Sequence, residues 1–139
     1  MTRSKFEAYN KEVMKRFLNP KFSGEIENPD AVGRTDNDSC GDMMEIYLKI
    51  ENNKIKDIKF QTLGCAAAIA SSDVLCELAK GKTLDKAKKI DNKLIIKELK
   101  GLPMIKLHCS VLGAKTLKKT IENYEDRKGK NPLNKSTPL

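Results

Sequence analysis

The chain is poor in several side chains on which common functions depend. Its 139 residues include no tryptophan, seven other aromatic residues and a single histidine. Readers of single-stranded nucleic acid stack bases on aromatic side chains, so this composition disfavours a nucleic-acid role. One histidine limits histidine-based acid–base chemistry to one residue, and neither a glycine-rich phosphate loop nor a serine–histidine–acid pattern is present. The absence of a long apolar segment or apolar signal region predicts a cytoplasmic protein that makes no membrane contact.

Net charge is high, but it is unevenly distributed. The formal charge is +8, and four of these charges lie in the acid-free last thirteen residues, as Arg127, Lys128, Lys130 and Lys135. Such a proline- and glycine-containing basic segment is typical of a disordered tail. We therefore expect one folded domain over residues 1–126, a basic tail over 127–139, and a surface suited to an acidic protein partner.

The first third of the chain predicts a helix and then a loop. Ser4 and Glu7 form a capping box, and Pro20 ends the helical pattern that follows. The apolar stripe of this helix consists of Phe6, Tyr9, Val13 and Phe17. The polar segment that follows is read as a loop with a short strand near residues 31–34.

The middle of the chain predicts a β-hairpin. Apolar and polar residues alternate over 44–50 and again over 58–60, and the polar sequence 51–53 indicates a turn. Ile55 is out of phase with the second strand, which indicates a bulge or a late strand start.

The second half of the chain predicts helices. A small, apolar helix covers about 66–80, a second begins at Thr83, and a third covers about 92–100. A final helix contains the apolar stripe over 114–124 and is expected to break at Arg127.

The four cysteines occupy unlike settings, and three have companions that bind metal. Cys40 stands two residues before Asp42, and Cys109 directly follows His108. Thiolate, imidazole and carboxylate form a mixed ligand set for zinc or iron. In a reducing compartment cysteines more often remain thiols than form structural bridges, which favours a metal or sulfur role. Cys76 is different, because its spacing from Cys65 places it about 16 Å along the same helix, and we expect it in the core.

Two of these cysteines are predicted at the starts of helices. Cys65 follows the end of the hairpin, where helix amides and the helix dipole favour a thiolate. Cys109 is expected just before the last helix, with Lys106 placed to steady an anionic persulfide. Adjacent helical residues point about 100° apart, so either His108 or Cys109 should lie in the preceding loop if both bind one metal. Read from the residues alone, His108 is about as often a satisfied polar residue as a ligand, and Asp42 is an ordinary turn residue as readily as a labile hard ligand.

Five separated motifs resemble one protein family in the right order. They are Asn19-Pro20 followed by Gly24, Ser39-Cys40-Gly41-Asp42, Gly64-Cys65-Ala-Ala-Ala-Ile-Ala-Ser-Ser72, Lys80-Gly81-Lys82 and Lys106-Leu-His-Cys-Ser110. Together they resemble the iron-sulfur cluster assembly scaffolds of the IscU type and the N-terminal domain of NifU. The resemblance covers about residues 9–124.

The resemblance implies a small α+β fold, a three-stranded antiparallel sheet with helices packed against it and a ligand site at one exposed end. It implies that Cys40, Cys65 and Cys109, helped by Asp42 or His108, hold a transient [2Fe-2S] cluster made from iron and sulfur, or zinc in the isolated protein. It implies persulfide transfer from a cysteine desulfurase to Cys109, and cluster transfer to apo-proteins by a scaffold that is not an enzyme.

The resemblance also implies protein partners for the scaffold and suggests an alternative function. A ferredoxin, a frataxin-like protein, an Hsp70-type chaperone and a cluster-bridged homodimer are implied, although Met104 and Ile105 depart from the family's chaperone-binding motif within residues 102–106. The alternative is a zinc-dependent sulfur acceptor that activates a desulfurase. Such relatives carry an insertion before the last cysteine and usually lack the histidine, so His108 and the short interval from Cys65 to Cys109 favour the scaffold.

Overall fold

The computed structural model describes residues 10–37, 42–101 and 107–129, and for residues 37, 107–110, 128 and 129 it describes the backbone alone. Five helices and three strands make up this part of the chain. In chain order they are α1 (Lys11–Leu18), β1 (Ala31–Asn37), β2 (Asp42–Glu51), β3 (Lys54–Leu63), α2 (Ala66–Ala79), α3 (Leu84–Lys88), α4 (Asn92–Glu98) and α5 (Leu107–Gly129). The α+β class with a three-stranded antiparallel sheet is confirmed. No helix among the described residues is long and apolar enough to cross a membrane.

Helix α1 begins later than its sequence pattern predicts. Asn10 is extended, and its Oδ1 accepts a hydrogen bond from Val13 N–H at 2.9 Å, so the helix starts at Lys11 and not near Ser4. The Asn10 amide also donates to the Leu99 carbonyl at 2.8 Å, which ties the start of α1 to the end of α4. The predicted capping box at Ser4 lies outside the described residues.

The sheet follows the order β1-β2-β3 and confirms the predicted hairpin. Asn52 and Asn53 form its turn with φ values of 55° and 62°, a conformation that asparagine tolerates better than most residues. The pairing register shifts between Lys49 and Ile50, which confirms the predicted bulge. This shift allows Ile55 to face the core together with Ile58.

The free edge of β1 is covered by helix α5. Three side chains of α5 donate hydrogen bonds to backbone carbonyls at this edge. Lys119 Nζ donates to Arg34 at 2.9 Å. The Asn123 amide donates to Val32 and Arg127 Nη1 donates to Asp30, each at 3.3 Å. Donors one helical turn apart thus meet acceptors two strand residues apart, and α5 runs antiparallel to β1. We name these three bonds the edge ladder. An edge occupied in this way offers fewer backbone groups to another strand.

Close contact between α5 and β1 depends on a glycine. A Cβ built on Gly33 would lie 2.8 Å from Thr120 Cβ and 2.9 Å from Thr120 Cα. The helix axis can therefore approach the strand only where the side chain is missing. Thr120 satisfies its own buried hydroxyl by donating to the Thr116 carbonyl at 2.7 Å.

The remaining helices confirm the sequence prediction, except that both ends of α5 are shifted. Helix α2 is almost entirely buried, α3 is capped by Thr83, and α4 is capped by Asp91. Helix α5 continues to Gly129, three residues beyond its predicted end, and the bond from Arg127 to the β1 edge gives those residues a tertiary partner. Of the predicted tail, residues 130–139 lie outside the described part of the chain.

Candidate metal centre

The topology brings the termini of five elements to one end of the sheet. β1 ends at Asn37 beside the first residue of β2, Asp42, with which it pairs. β3 ends at Leu63 opposite Met43 and leads directly into α2. Helix α5 runs antiparallel to β1, so its N-terminal end lies at this same end. Every segment predicted to carry a ligand thus leaves or enters the fold here.

Cys65 is the N-cap residue of α2. Its backbone is extended (φ −81°, ψ 177°), and its carbonyl accepts the Ile69 N–H at 3.1 Å to begin the helix. Its partly buried side chain packs against the fully buried Ala67 and Ala68 and forms no disulfide. The first turn of α2 contains no acidic residue, so no carboxylate of the helix itself offsets the positive end of its dipole. The predicted position of Cys65 at a helix start is confirmed, and its role as a metal-binding thiolate stays a prediction.

Asp42 is a buried carboxylate directly beside this helix start. Its residue is 9% exposed, although it begins a strand at the end of the sheet. A Cβ built on Gly64 would lie 3.2 Å from Asp42 Cγ and 3.3 Å from Asp42 Oδ1. The carboxylate therefore lies over the residue that immediately precedes Cys65. The sequence proposed Asp42 as a ligand but gave no sign of this contact, which depends on strand pairing.

Cys109 and His108 both belong to the first turn of α5, which begins at Leu107. The prediction that Cys109 lies just before the helix is therefore wrong. The condition under which both residues could bind one metal, that one of them lies in the preceding loop, is not met. The helix starts earlier than the sequence indicates. The side chains of both residues, together with Cys40 and Lys106, lie outside the described part of the structure. Among the side chains that are described, no group of three or more histidine, cysteine, aspartate or glutamate residues could hold a metal ion.

Cys76 is confirmed as a core residue. It is fully buried in α2 and shares the main hydrophobic cluster with Ala79, against which Ile69 also packs. Burial, followed by the nearby charge of Asp73, raises the pKa of the Cys76 thiol well above its ordinary value. Both the burial and the raised pKa agree with a packing role for Cys76.

A basic groove, which sequence reasoning missed, runs along β1 and α5. Its lining residues are Arg34, Thr35, Asp36, Lys115, Lys118, Lys119 and Glu122. Four cations against two acids leave it positive, and Asp36 is one pairing step from the end of β1 where Asp42 lies. The lysine spacing on α5 could have revealed it, but its strand side becomes evident only from the packing.

The structure is thus an α+β domain in which one end of the sheet brings together a cysteine at a helix start, a buried aspartate and a cysteine-bearing helix. The sequence profile described as the NifU-like N terminal domain matches residues 8–131. The chain therefore belongs to the family of NifU-like N-terminal domains.

Individual relatives agree with this assignment. The chain is 48% identical over 122 residues to iron-sulfur cluster assembly scaffold protein IscU 1 of Archaeoglobus fulgidus, which covers 88% of this chain and 80% of that protein. It is 42% identical over 124 residues to the IscU scaffold of Aquifex aeolicus, covering 88% and 79%. The match to nitrogen fixation protein NifU of Trichormus azollae is 44% identical over 124 residues, but this covers 84% of the chain and 41% of that protein.

Solved structures show the same fold. The crystal structure of an iron-sulfur cluster assembly scaffold protein for the SUF system from Fervidobacterium islandicum superimposes with a TM-score of 0.71 at 29% identity. The match covers 85% of this chain and 99% of that one. The N-terminal NifU-like protein of Brucella abortus gives a TM-score of 0.70 at 23% identity, covering 88% and 97%, and shows likeness of fold alone.

Proposed function

We propose that this chain is a scaffold on which a [2Fe-2S] cluster is assembled and from which it is transferred. Its ligands are Cys40, Cys65 and Cys109, with Asp42 or His108 as the fourth. Asp42 is favoured, because His108 and Cys109 are neighbours in one helical turn and their side chains point about 100° apart. The single observation that carries this proposal is the burial of the Asp42 carboxylate over Gly64, beside the helix-capping Cys65. The IscU relatives, matched over most of their length, support the scaffold role.

The chain connections support the proposed assignment of the remaining two cysteines to this end of the sheet. Cys40 belongs to the four residues that join Asn37 to its paired neighbour Asp42. Cys109 belongs to the first turn of α5, at the end of that helix nearest the end of β1. Three thiolates from three separate segments are thus available to one compact centre.

Sulfur enters as a persulfide from a cysteine desulfurase. The Cys109 thiolate attacks the outer sulfur of the donor persulfide, a new S–S bond forms on Cys109, and the desulfurase leaves as a thiolate. Lys106, three residues upstream, provides positive charge to steady the anionic product. Reduction of this sulfur to sulfide needs two electrons, which a ferredoxin would supply, while ferrous iron enters as the second substrate.

The cluster is cargo for a carrier and is not a resident cofactor of an enzyme. Thiolates hold iron or zinc firmly, whereas a carboxylate among them weakens a site for a soft metal. Asp42 would therefore favour release to apo-proteins, and zinc would occupy the same ligands in the isolated protein. The basic groove along β1 and α5 offers a docking surface for an acidic face of the desulfurase or an acceptor. A frataxin-like protein, an Hsp70-type chaperone and a cluster-bridged dimer remain proposals of the same kind.

Anaerobic reconstitution tests the function. Ferrous iron, L-cysteine and a desulfurase are added, the visible and Mössbauer spectra are followed, and iron, sulfide and zinc are assayed in the same sample. A [2Fe-2S] spectrum that transfers to an apo-ferredoxin is expected. Stoichiometric zinc without a cluster, accompanied by a faster desulfurase, would replace the scaffold with a zinc-dependent sulfur acceptor.

Substitutions test the ligand assignment in the same assay. Cys109→Ala is expected to abolish desulfurase-dependent assembly, because the persulfide then has no acceptor. Cys76→Ala, which removes a buried thiol outside the site, is the matched control and should retain assembly. Full assembly by Cys109→Ala would refute the acceptor assignment.

A further inference from the structure

Gly64 lies between the last strand residue and the helix-capping Cys65, and its missing side chain defines a space. The backbone at Gly64 is not in the left-handed region, unlike that of Gly24, Gly81 and Gly101. Conformational freedom therefore does not explain this glycine. What distinguishes it is crowding, because an added Cβ would meet Asp42 Cγ at 3.2 Å and Ala68 Cβ at 2.9 Å.

We propose that Gly64 is a positioning residue whose missing Cβ holds the Asp42 carboxylate against the peptide next to Cys65. The inference rests on the proposed function for its effect on metal, but its geometry stands on the packing alone. Met43 pairs with Leu63, so continuing the antiparallel register by one step sets Asp42 opposite Gly64. The carboxylate occupies the volume that any other side chain would fill.

Burial makes this position specific. Asp42 is 9% exposed, and a Cβ on Gly64 would lie 3.3 Å from its oxygen Oδ1, closer than an ordinary van der Waals contact. A carboxylate that has lost most of its water is held by its packing and by its polar contacts, and a displacement of about 1 Å would alter both. Gly64 thereby determines where a hard oxygen ligand stands relative to the sulfur of Cys65.

The first experiment is performed on metal-free protein. It separates the steric contact of a new Cβ at position 64 with Ala68 from its contact with Asp42. In an Ala68→Gly background the contact with Ala68 Cβ is gone, so the Asp42 carboxylate is the nearest known group that the new Cβ of Gly64→Ala would meet. We expect Gly64→Ala to lower the urea midpoint in this background, and added Asp42→Ala to remove most of that loss. Equal losses with and without the Asp42 carboxylate would overturn the proposal, because Gly64 would then act through something else.

The second experiment measures metal, with zinc alone as the probe. Competition with a chromophoric chelator should show an affinity about tenfold lower for Gly64→Ala/Ala68→Gly than for Ala68→Gly. Adding Asp42→Ala should produce no further loss, because the same oxygen has already been displaced. Unchanged affinity, or fully additive losses, would contradict the positioning role.

A variant that keeps Gly64 protects the test against a folding failure. Asp42→Glu moves the carboxylate one methylene further from its backbone, so it cannot occupy the space over Gly64 in the same way. It should show a comparable fall in zinc affinity. Wild-type zinc affinity in this variant would count against the proposal.

The outcomes distinguish failure of the inference from failure of the function. If the unaltered chain binds zinc and assembles a cluster but the Gly64 variants match their backgrounds, only the positioning role fails. If the unaltered chain does neither, the scaffold function fails, and the unfolding experiment alone decides whether Gly64 positions Asp42.

Discussion

Arg16 and Asp73 form an ion pair between α1 and α2, with Arg16 Nη1 2.9 Å from Asp73 Oδ2. The Asp73 side chain is 1% exposed, and its other oxygen accepts the backbone N–H groups of Lys21 and Phe22 at 2.7 and 3.0 Å. One carboxylate therefore attaches both the first helix and the segment after it to α2. Arg16 also pairs with Glu12 and with the more exposed Glu77.

Loss of this carboxylate should be costly. Asp73→Ala leaves a nearly buried guanidinium and two backbone donors without their acceptor, and it should lower the free energy of unfolding by about 3 kcal/mol. Glu77→Ala removes an exposed partner of the same arginine and should cost less than about 1 kcal/mol. Urea unfolding of metal-free protein compares the two. Similar losses would mean that Asp73 is not the principal attachment of α1.

Glu12 should make a small contribution to stability that depends on pH. Its hydrogen bond from Arg16 Nε, at 2.8 Å, lowers the pKa of the Glu12 carboxyl below its ordinary 4.5. Because the pKa of Glu12 is lower in the folded state than in the unfolded state, its carboxylate stabilises the fold at pH values above the unfolded-state pKa. This contribution is lost as the pH falls through the folded-state pKa. Glu12→Gln should therefore cost about 0.5 kcal/mol at neutral pH and nothing measurable in sufficiently acidic solution. A difference between the two proteins that stays constant with pH would contradict this.

Alkylation should separate Cys65 from Cys76 in the native protein. Cys65 is partly exposed at a helix start, whereas Cys76 is fully buried and its thiol has a raised pKa. With iodoacetamide and peptide mapping, Cys76 should react more than about a thousandfold more slowly than Cys65, because its exposure requires unfolding. Both should react at similar rates in denaturant. Rapid native modification of Cys76 would show that α2 opens locally.

Gly33→Ala should destabilise the contact between α5 and β1. Its new Cβ would lie within 2.9 Å of the Thr120 backbone, and the resulting overpacking should cost about 2 kcal/mol. Gly113→Ala is the matched control, since its Cβ would meet a movable Leu75 methyl at 3.3 Å. The helix propensity gained at this position is about 1 kcal/mol and offsets that contact. Thermal unfolding should rank the two variants clearly, and equal melting temperatures would refute the argument from packing.

The sequence predicted the features that depend on residues close together in the chain. The hairpin and its bulge follow from alternation and from the phase of Ile55, and the starts of α3 and α4 agree with the predicted helices from Thr83 and from about Asn92. The start of α1 was missed because Ser4 offered a plausible cap, while Asn10 is fixed by its bonds to a distant helix.

The sequence predicted which residue types form the candidate site, but it predicted their positions in the fold only in part. Cys65 lies at the helix start where the pattern placed it. Cys109 lies inside α5 and not before it. The sequence did not predict this, because no clear capping signal marks where that helix begins. The contact between Asp42 and Gly64 joins residues far apart in sequence, so only the pairing of β2 with β3 reveals it.

In the edge ladder, the spacing of the donors along α5 matches the spacing of the acceptors along the β1 edge. Four helical residues rise about 6 Å and two strand residues about 6.6 Å, so donors at Lys119, Asn123 and Arg127 match successive outward carbonyls of β1. A slip by a fraction of a turn would break all three bonds together, and only a full step would restore a matching set. The edge ladder thus sets the axial position of α5, whose first turn contains His108 and Cys109, relative to the strand that leads to Cys40.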